Sequence, residues 1–134
     1  MRRIFNPILI LLTILGCKTE SDTELTIGDI ELISKIEGQW IHKDNKDIYL
    51  TIKDGAEEVG VLNGQLLSRA EFKITSVNLD ASYIVIDGLR EYVSYDNGAE
   101  EEEFRGKIVL IKDGHELLYI HHHLDQEIRS EWMK

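Results

Sequence analysis

Paired turn residues divide the chain from Gly38 onward into short segments, and this spacing constrains the fold more than any other feature. Pairs such as Asn-Gly and Asp-Gly supply the positive backbone φ angles that tight hairpins need. A further turn is expected at 78–81. The segments between turns therefore read as consecutive hairpin strands. The turn pairs are Asp44-Asn45, Asp54-Gly55, Asn63-Gly64, Asp87-Gly88, Asn97-Gly98, Asp113-Gly114 and Asp125-Gln126.

The segments themselves have β character. Ile48, Leu50 and Ile52 alternate with polar or aromatic neighbours, while 83–86 and 108–111 are short and rich in β-branched residues. We count about eight or nine strands, and eight strands can close on themselves and so leave no exposed edge. The sequence predicts an all-β, small up-and-down antiparallel barrel. A two-sheet β-sandwich is the alternative.

A short helix is predicted ahead of the strands, over 27–37. Isoleucine recurs there at every third position and Leu32 widens the apolar stripe. Asp29 lies early and Lys35 late, as the helix dipole favours, and Gly38 then ends the helix. We expect this helix to cover one end of the barrel.

The first seventeen residues differ from the rest of the chain. Arg2 and Arg3 precede an apolar stretch over 4–16, which is shorter than the roughly 20 residues of a membrane-spanning helix. A basic start followed by a short apolar run is typical of a secretory signal. The run ends in Ile14-Leu15-Gly16-Cys17, which resembles the lipobox of bacterial lipoproteins. Cys17 is the only cysteine of the chain.

The lipoprotein resemblance implies cleavage after residue 16 and attachment of diacylglycerol to Cys17, often with a further acyl chain such as palmitate. Residues 17–27 would then form a lipidated, flexible tether, because they are mostly polar and lack an apolar period. Residues 28–134 would form the barrel domain. We therefore expect the protein at the extracytoplasmic face of a bacterial membrane, which is the cell membrane, or the outer membrane if the cell has two.

A second resemblance concerns Gly38-Gln39-Trp40. This tripeptide looks like the Gly-x-Trp that opens the first strand of lipocalin-like barrels, and like that motif it follows a short helix. In lipocalins the tryptophan closes one end of the barrel and a basic residue of the last strand packs across it. The resemblance thus implies a lipocalin-like domain in which Arg129 is the basic partner of Trp40.

Three consecutive histidines suggest a metal site. Strand alternation places His121 and His123 on one face and His122 on the other. Two imidazoles at this spacing could share a zinc or copper ion, although a further ligand would be required, for which His42 and His115 are the candidates. Packed or solvated histidines are the simpler interpretation.

The charge pattern suggests partners. The formal net charge is −10, which disfavours nucleic acid. Glu100 to Glu103 form an acidic run beside Asn97-Gly98, interpreted as a hairpin tip that could attract a basic protein. Several aromatic residues could line a cavity, namely Tyr49, Phe72, Tyr83, Tyr92, Tyr95, Phe104 and Tyr119.

No motif predicts catalysis. The serines have no nucleophile-elbow context and no cofactor-binding pattern is present, so we expect a protein that is not an enzyme and has no cofactor. The leading hypothesis is a membrane-anchored binding module for a small apolar or amphipathic ligand. The alternative is an acidic protein-interaction module of the inhibitor or immunity type. The chain alone identifies no ligand-binding residues.

Overall fold

A computed structural model describes residues 24–94, 98–123 and 125–134. The signal segment, Cys17 and Asn97 lie outside these residues. Among the described residues, no helix is both long and apolar enough to cross a membrane.

In its described residues the chain forms a closed antiparallel barrel of eight strands preceded by a short α-helix, so the predicted all-β, lipocalin-like barrel is confirmed. Each strand pairs with the next along the chain, and the last pairs with the first through Ile41–Met133 and His42–Trp132. The elements are α1 (Ile27–Ile36), β1 (Gly38–His42), β2 (Ile48–Lys53), β3 (Ala56–Val61), β4 (Leu66–Asn78), β5 (Tyr83–Ser94), β6 (Gly98–Ile111), β7 (Glu116–His123) and β8 (Gln126–Met133).

Helix α1 begins as its sequence suggests. Thr26 caps it by accepting a hydrogen bond from the Asp29 backbone N–H, and the Asp29 carboxylate accepts one from the Thr26 N–H. Such a reciprocal box satisfies two donors that a helix start otherwise leaves unpaired. Thr26 and Ile27, assigned to the tether from sequence, therefore belong to the folded domain.

The helix is fastened to the barrel by Trp40. The indole Nε1 donates to the backbone oxygen of Ile36 at 2.8 Å, and both side chains are completely buried. This contact satisfies a carbonyl at the helix end and closes that end of the barrel. We call the opposite end, where the loops 43–47 and 62–65 lie, the distal end.

The barrel core is formed by inward side chains of seven of the eight strands and two residues of α1, and β3 adds the partly buried Val59. Alternation in β2 is as predicted, since Leu50 is 0% and Ile52 2% exposed. Burying such side chains contributes about 1.5–3 kcal/mol each. The buried apolar residues are Leu32, Ile36, Trp40, Leu50, Ile52, Ala70, Ile84, Ile86, Phe104, Ile108, Leu117, Tyr119 and Trp132.

Two sequence interpretations are wrong. Asp87-Gly88 is not a turn but lies inside β5, one of three long strands of 13, 12 and 14 residues, β4 to β6. A Cβ atom on Gly88 would lie 2.1 Å from the backbone oxygen of Glu71, so glycine is required there for close approach of β4. The run 100–103 is likewise not a hairpin tip, because it lies within β6.

Candidate binding site at the distal end of the barrel

A buried ion pair lies inside the barrel. Glu57 of β3 and Arg90 of β5 both face inward and are 2% and 3% exposed, and Arg90 Nη2 donates to Glu57 Oε2 at 2.8 Å. The Tyr119 hydroxyl of β7 joins them: it donates to Glu57 Oε1 and accepts from Arg90 Nη2 at 2.7 Å. Three strands thus meet through charge-assisted hydrogen bonds in a low-dielectric interior.

Arg90 makes two further contacts. Its guanidinium lies over the Phe104 ring at 4.0 Å from the centroid, a cation–π geometry. Its Nη1 lies 2.9 Å from His121 Nδ1. The buried Nε of Arg90 has no hydrogen-bond partner among the described residues. An unsatisfied buried donor is unfavourable, so this N–H is the point of the cluster best placed to donate a hydrogen bond to an oxygen of a ligand or of water.

The charges of the cluster fix its protonation states. Burial lowers the pKa of Arg90, but its electrostatic interactions and hydrogen bonds with neighbouring groups, Tyr119 and Glu57 foremost, outweigh burial and raise it overall. Burial, reinforced by the Glu57 charge, raises the pKa of Tyr119 well above its usual value. Arg90 is therefore a cation and Tyr119 a neutral phenol at neutral pH.

His121 is a neutral imidazole. Burial, and then the charge of Arg90, lower its pKa from 6.5 to about 4. Because Arg90 can only donate, Nδ1 of His121 must accept, and the ring proton is on Nε2. With one cation balanced by one carboxylate, the cluster of Glu57, Arg90, Tyr119 and the partly buried His121 carries no net charge.

A second polar group lies nearer the distal end and is partly exposed. The Tyr92 hydroxyl donates to Glu102 Oε1 at 2.9 Å, and His123 Nδ1 lies 2.7 Å from the same oxygen. Burial raises the pKa of Glu102, but the hydrogen bonds from His123 and Tyr92 lower it overall. The Glu102 and His123 side chains are 22% and 36% exposed. We call Tyr92, Glu102 and His123 the mouth group.

The histidine prediction is confirmed in placement but finds no support as a metal site. His121 and His123 do share the inward face, but each is engaged separately, with Arg90 and with Glu102. His42 packs edge-on against Trp132, and His115 lies in the turn before β7. No group of three potential ligands occurs among the described residues, and the Arg90 cation beside His121 would repel a metal ion.

The basic residue on Trp40 is Lys134, not the predicted Arg129. Lys134 Nζ lies 4.0 Å from the Trp40 ring centroid and also donates to the backbone oxygen of Glu37 at 3.4 Å. Arg129 instead donates to Glu127 on the exposed face of β8. A basic residue does pack on Trp40, as the resemblance implied, but that residue is Lys134, which lies just beyond β8 at the helix-covered end.

The predicted aromatic set divides between the two barrel faces. Tyr92, Phe104 and Tyr119 belong to the inward polar region, and Phe72 packs against the core. Tyr83 faces outward, where its ring contacts Lys107, and Tyr95 lies outside the described residues.

Glu57 and Arg90 were not predicted from the sequence. For Arg90 the sequence did hold an indication, because in a continuous strand Arg90 lies on the same face as Ile84 and Ile86. The predicted turn at Asp87-Gly88 ended the strand before Arg90, so its inward orientation was not recognised. Glu57 gives no such signal, since Glu58 beside it looks equally suitable for either face.

Comparisons with protein family models, curated proteins and solved structures found no match to this chain.

Proposed function

We propose that this protein is a lipid-anchored extracytoplasmic lipoprotein whose barrel binds a small amphipathic molecule at its distal end. The observation that carries the proposal is the buried polar cluster with an unpaired donor, Arg90 Nε. Ligand sites typically combine apolar walls with a few fixed polar groups. Here those polar groups lie beneath the partly exposed mouth group, and apolar side chains fill the helix-covered half.

The charges favour an uncharged polar group on the ligand. Arg90 is already neutralised by Glu57, and the Glu102 carboxylate lies at the mouth. An anion would add uncompensated negative charge to a site in a chain of net charge −10, which is unfavourable where water is scarce. A hydroxyl or carbonyl oxygen would instead satisfy Arg90 Nε without changing the charge balance.

Histidine ring resonances in NMR spectra test the binding proposal. We expect a short-chain monoacylglycerol, titrated below its micelle concentration, to shift the ring signals of His121 and His123. The outward His122 and the distant His115 should not respond. The fatty acid of equal chain length should bind at least about tenfold more weakly, because its carboxylate meets Glu102. Equal shifts at all the histidines, or none at saturating probe, would contradict the proposal.

Cell fractionation tests the anchor independently of the barrel. The proposal rests on the signal-like 1–16 segment and the lipobox resemblance at Cys17. Two or more acyl chains are needed for stable anchoring. We therefore expect the wild-type chain in the membrane fraction and Cys17→Ala to lose the lipid. If Cys17→Ala incorporated labelled palmitate as the wild type does, the lipoprotein assignment would be wrong.

A further inference from the structure

The outer surface of the barrel carries a second candidate site, unrelated to the interior. Two adjoining grooves of about 940 and 520 Å³ lie across β3 to β6, and both are lined by Ala56, Glu71 and Leu89. At their junction Leu89 is 45% exposed. We call this region the Leu89 groove.

The strand register explains the layout of the Leu89 groove. One row across the four strands pairs Ala56 with Glu71, Glu71 with Leu89, and Leu89 with Glu103. Along its own strand Leu89 has Asp87 and Glu91 two residues away, on the same face. Four carboxylates therefore surround an exposed leucine.

Only some of these carboxylates are neutralised. Glu91 pairs with Arg69 at 2.7 Å, and Asp87 pairs with Arg105 at 2.7 Å. Of the other acids that line the two grooves, Glu57 pairs with Arg90 inside the barrel, and five form no salt bridge among the described residues. They are Asp54, Glu58, Glu71, Glu101 and Glu103. Lys73, directly opposite Asp87 on β4, is the third cation of the lining, so acids still outnumber cations.

This arrangement costs stability. Glu91 and Glu101 are directly opposite each other on β5 and β6, and like charges in such cross-strand pairs are destabilising. A solvated sheet face needs neither this repulsion nor an exposed leucine amid acids. A partner with positive charge would relieve the repulsion between the carboxylates, and an apolar side chain of that partner would cover Leu89.

We propose that the Leu89 groove docks a segment of a partner protein in which lysine or arginine residues flank an apolar side chain. The apolar side chain packs on Leu89 and the flanking cations pair with Glu71 and Glu103. Charge complementarity selects this occupant over a second copy of the chain, because two acidic grooves repel each other. The same charge complementarity favours a basic protein segment over an anionic membrane surface.

The probe for this proposal is a synthetic peptide in which lysines flank a central leucine, titrated against the full chain in mild detergent. Amide shifts in NMR spectra should map to the row of Ala56, Glu71, Leu89 and Glu103 and to the neighbouring residues of β3 to β6. The double variant Glu71→Gln/Glu103→Gln should weaken binding by about tenfold or more. Leu89→Thr, which keeps the charge, should weaken it as well.

The matched control changes the net charge equally but elsewhere. Glu31→Gln/Asp80→Asn removes two exposed carboxylates from α1 and the β4–β5 turn. This control should change the dissociation constant less than about twofold at 0.15 M salt, where charges beyond the Debye length are screened. Three outcomes would overturn the proposal. They are an equal loss of affinity in both double variants, amide shifts that map to another face, and absence of binding at millimolar peptide. None of these outcomes bears on ligand uptake inside the barrel.

Discussion

Replacing Arg90 by methionine is expected to lower the free energy of unfolding by about 3–5 kcal/mol, because Glu57 would be left as an uncompensated buried charge. The Glu57 side chain is 1% exposed, so water cannot replace the lost cation. The Tyr119 hydroxyl would also lose the hydrogen bond that Arg90 Nη2 donates to it. Chemical denaturation followed by tryptophan fluorescence measures this effect, since Trp40 and Trp132 are both buried.

Two further variants separate loss of the charge pair from loss of packing. Glu57→Leu/Arg90→Met should recover at least about 2 kcal/mol relative to Arg90→Met, because no unpaired charge remains. Arg69→Met, which removes an exposed arginine from its pair with Glu91, should have a much smaller effect. If Arg90→Met were no more destabilising than Arg69→Met, the buried ion pair would not exist as described.

Stability should decrease by about 2–3 kcal/mol as the pH falls from 6.5 towards 4, because of His121. Burial and the Arg90 charge depress the pKa of this imidazole to about 4 in the folded protein, against 6.5 when unfolded. Between these values the unfolded chain binds a proton that the folded chain does not. The free energy of unfolding therefore decreases as the pH is lowered through that window. Above the window the protein has its full stability with respect to His121.

The carboxylates act in a different window, which allows the His121 contribution to be isolated. The hydrogen bond from Arg105 outweighs a slight burial effect and lowers the pKa of Asp87. The pKa of Glu102 is also lowered, by the hydrogen bonds described above. Their contributions are lost only below the unfolded values of 3.8 and 4.5. Denaturation at intervals between pH 4.5 and 7 thus reports chiefly on the imidazole.

A matched pair of variants assigns the effect to its residue. His121→Gln keeps an acceptor for Arg90 Nη1 but does not titrate, so its stability should be nearly constant from pH 6.5 to 4.5. His122→Gln, on the exposed face of the same strand, should retain the wild-type pH dependence. A flat wild-type profile, or equal slopes in both variants, would contradict a partly buried, neutral His121.

The sequence was sufficient for the architecture because turn chemistry and alternation are local properties. Paired turn residues and the apolar face of β2 predict consecutive hairpins, and the three-residue spacing of isoleucines predicts α1. The long strands were missed because Gly88 serves a close approach between β4 and β5, which looks the same in sequence as a turn glycine. Distinguishing the two requires knowledge of which strands are neighbours.

The candidate site was less predictable because its members are distant in sequence. Glu57, Arg90 and Tyr119 come from three strands and meet only when the barrel closes. Alternation placed His121 and His123 on the inward face but could not reveal Arg90 beside His121, which changes a suggested metal ligand into a hydrogen-bond acceptor. Lys134 replaced Arg129 over Trp40 for the same reason, since the register between β1 and β8 is non-local.

Native mass spectrometry of the full chain, purified gently from membranes in mild detergent, tests the central claim that the barrel is a binding module. We predict a reproducible extra mass of about a few hundred daltons, the size of ligand that such sites enclose, which is lost on denaturation and is distinct from the covalent lipid. Incubation with the monoacylglycerol should replace it with the mass of that probe. A chain that carries only its covalent lipid, both as purified and after incubation with the probe, would contradict the claim.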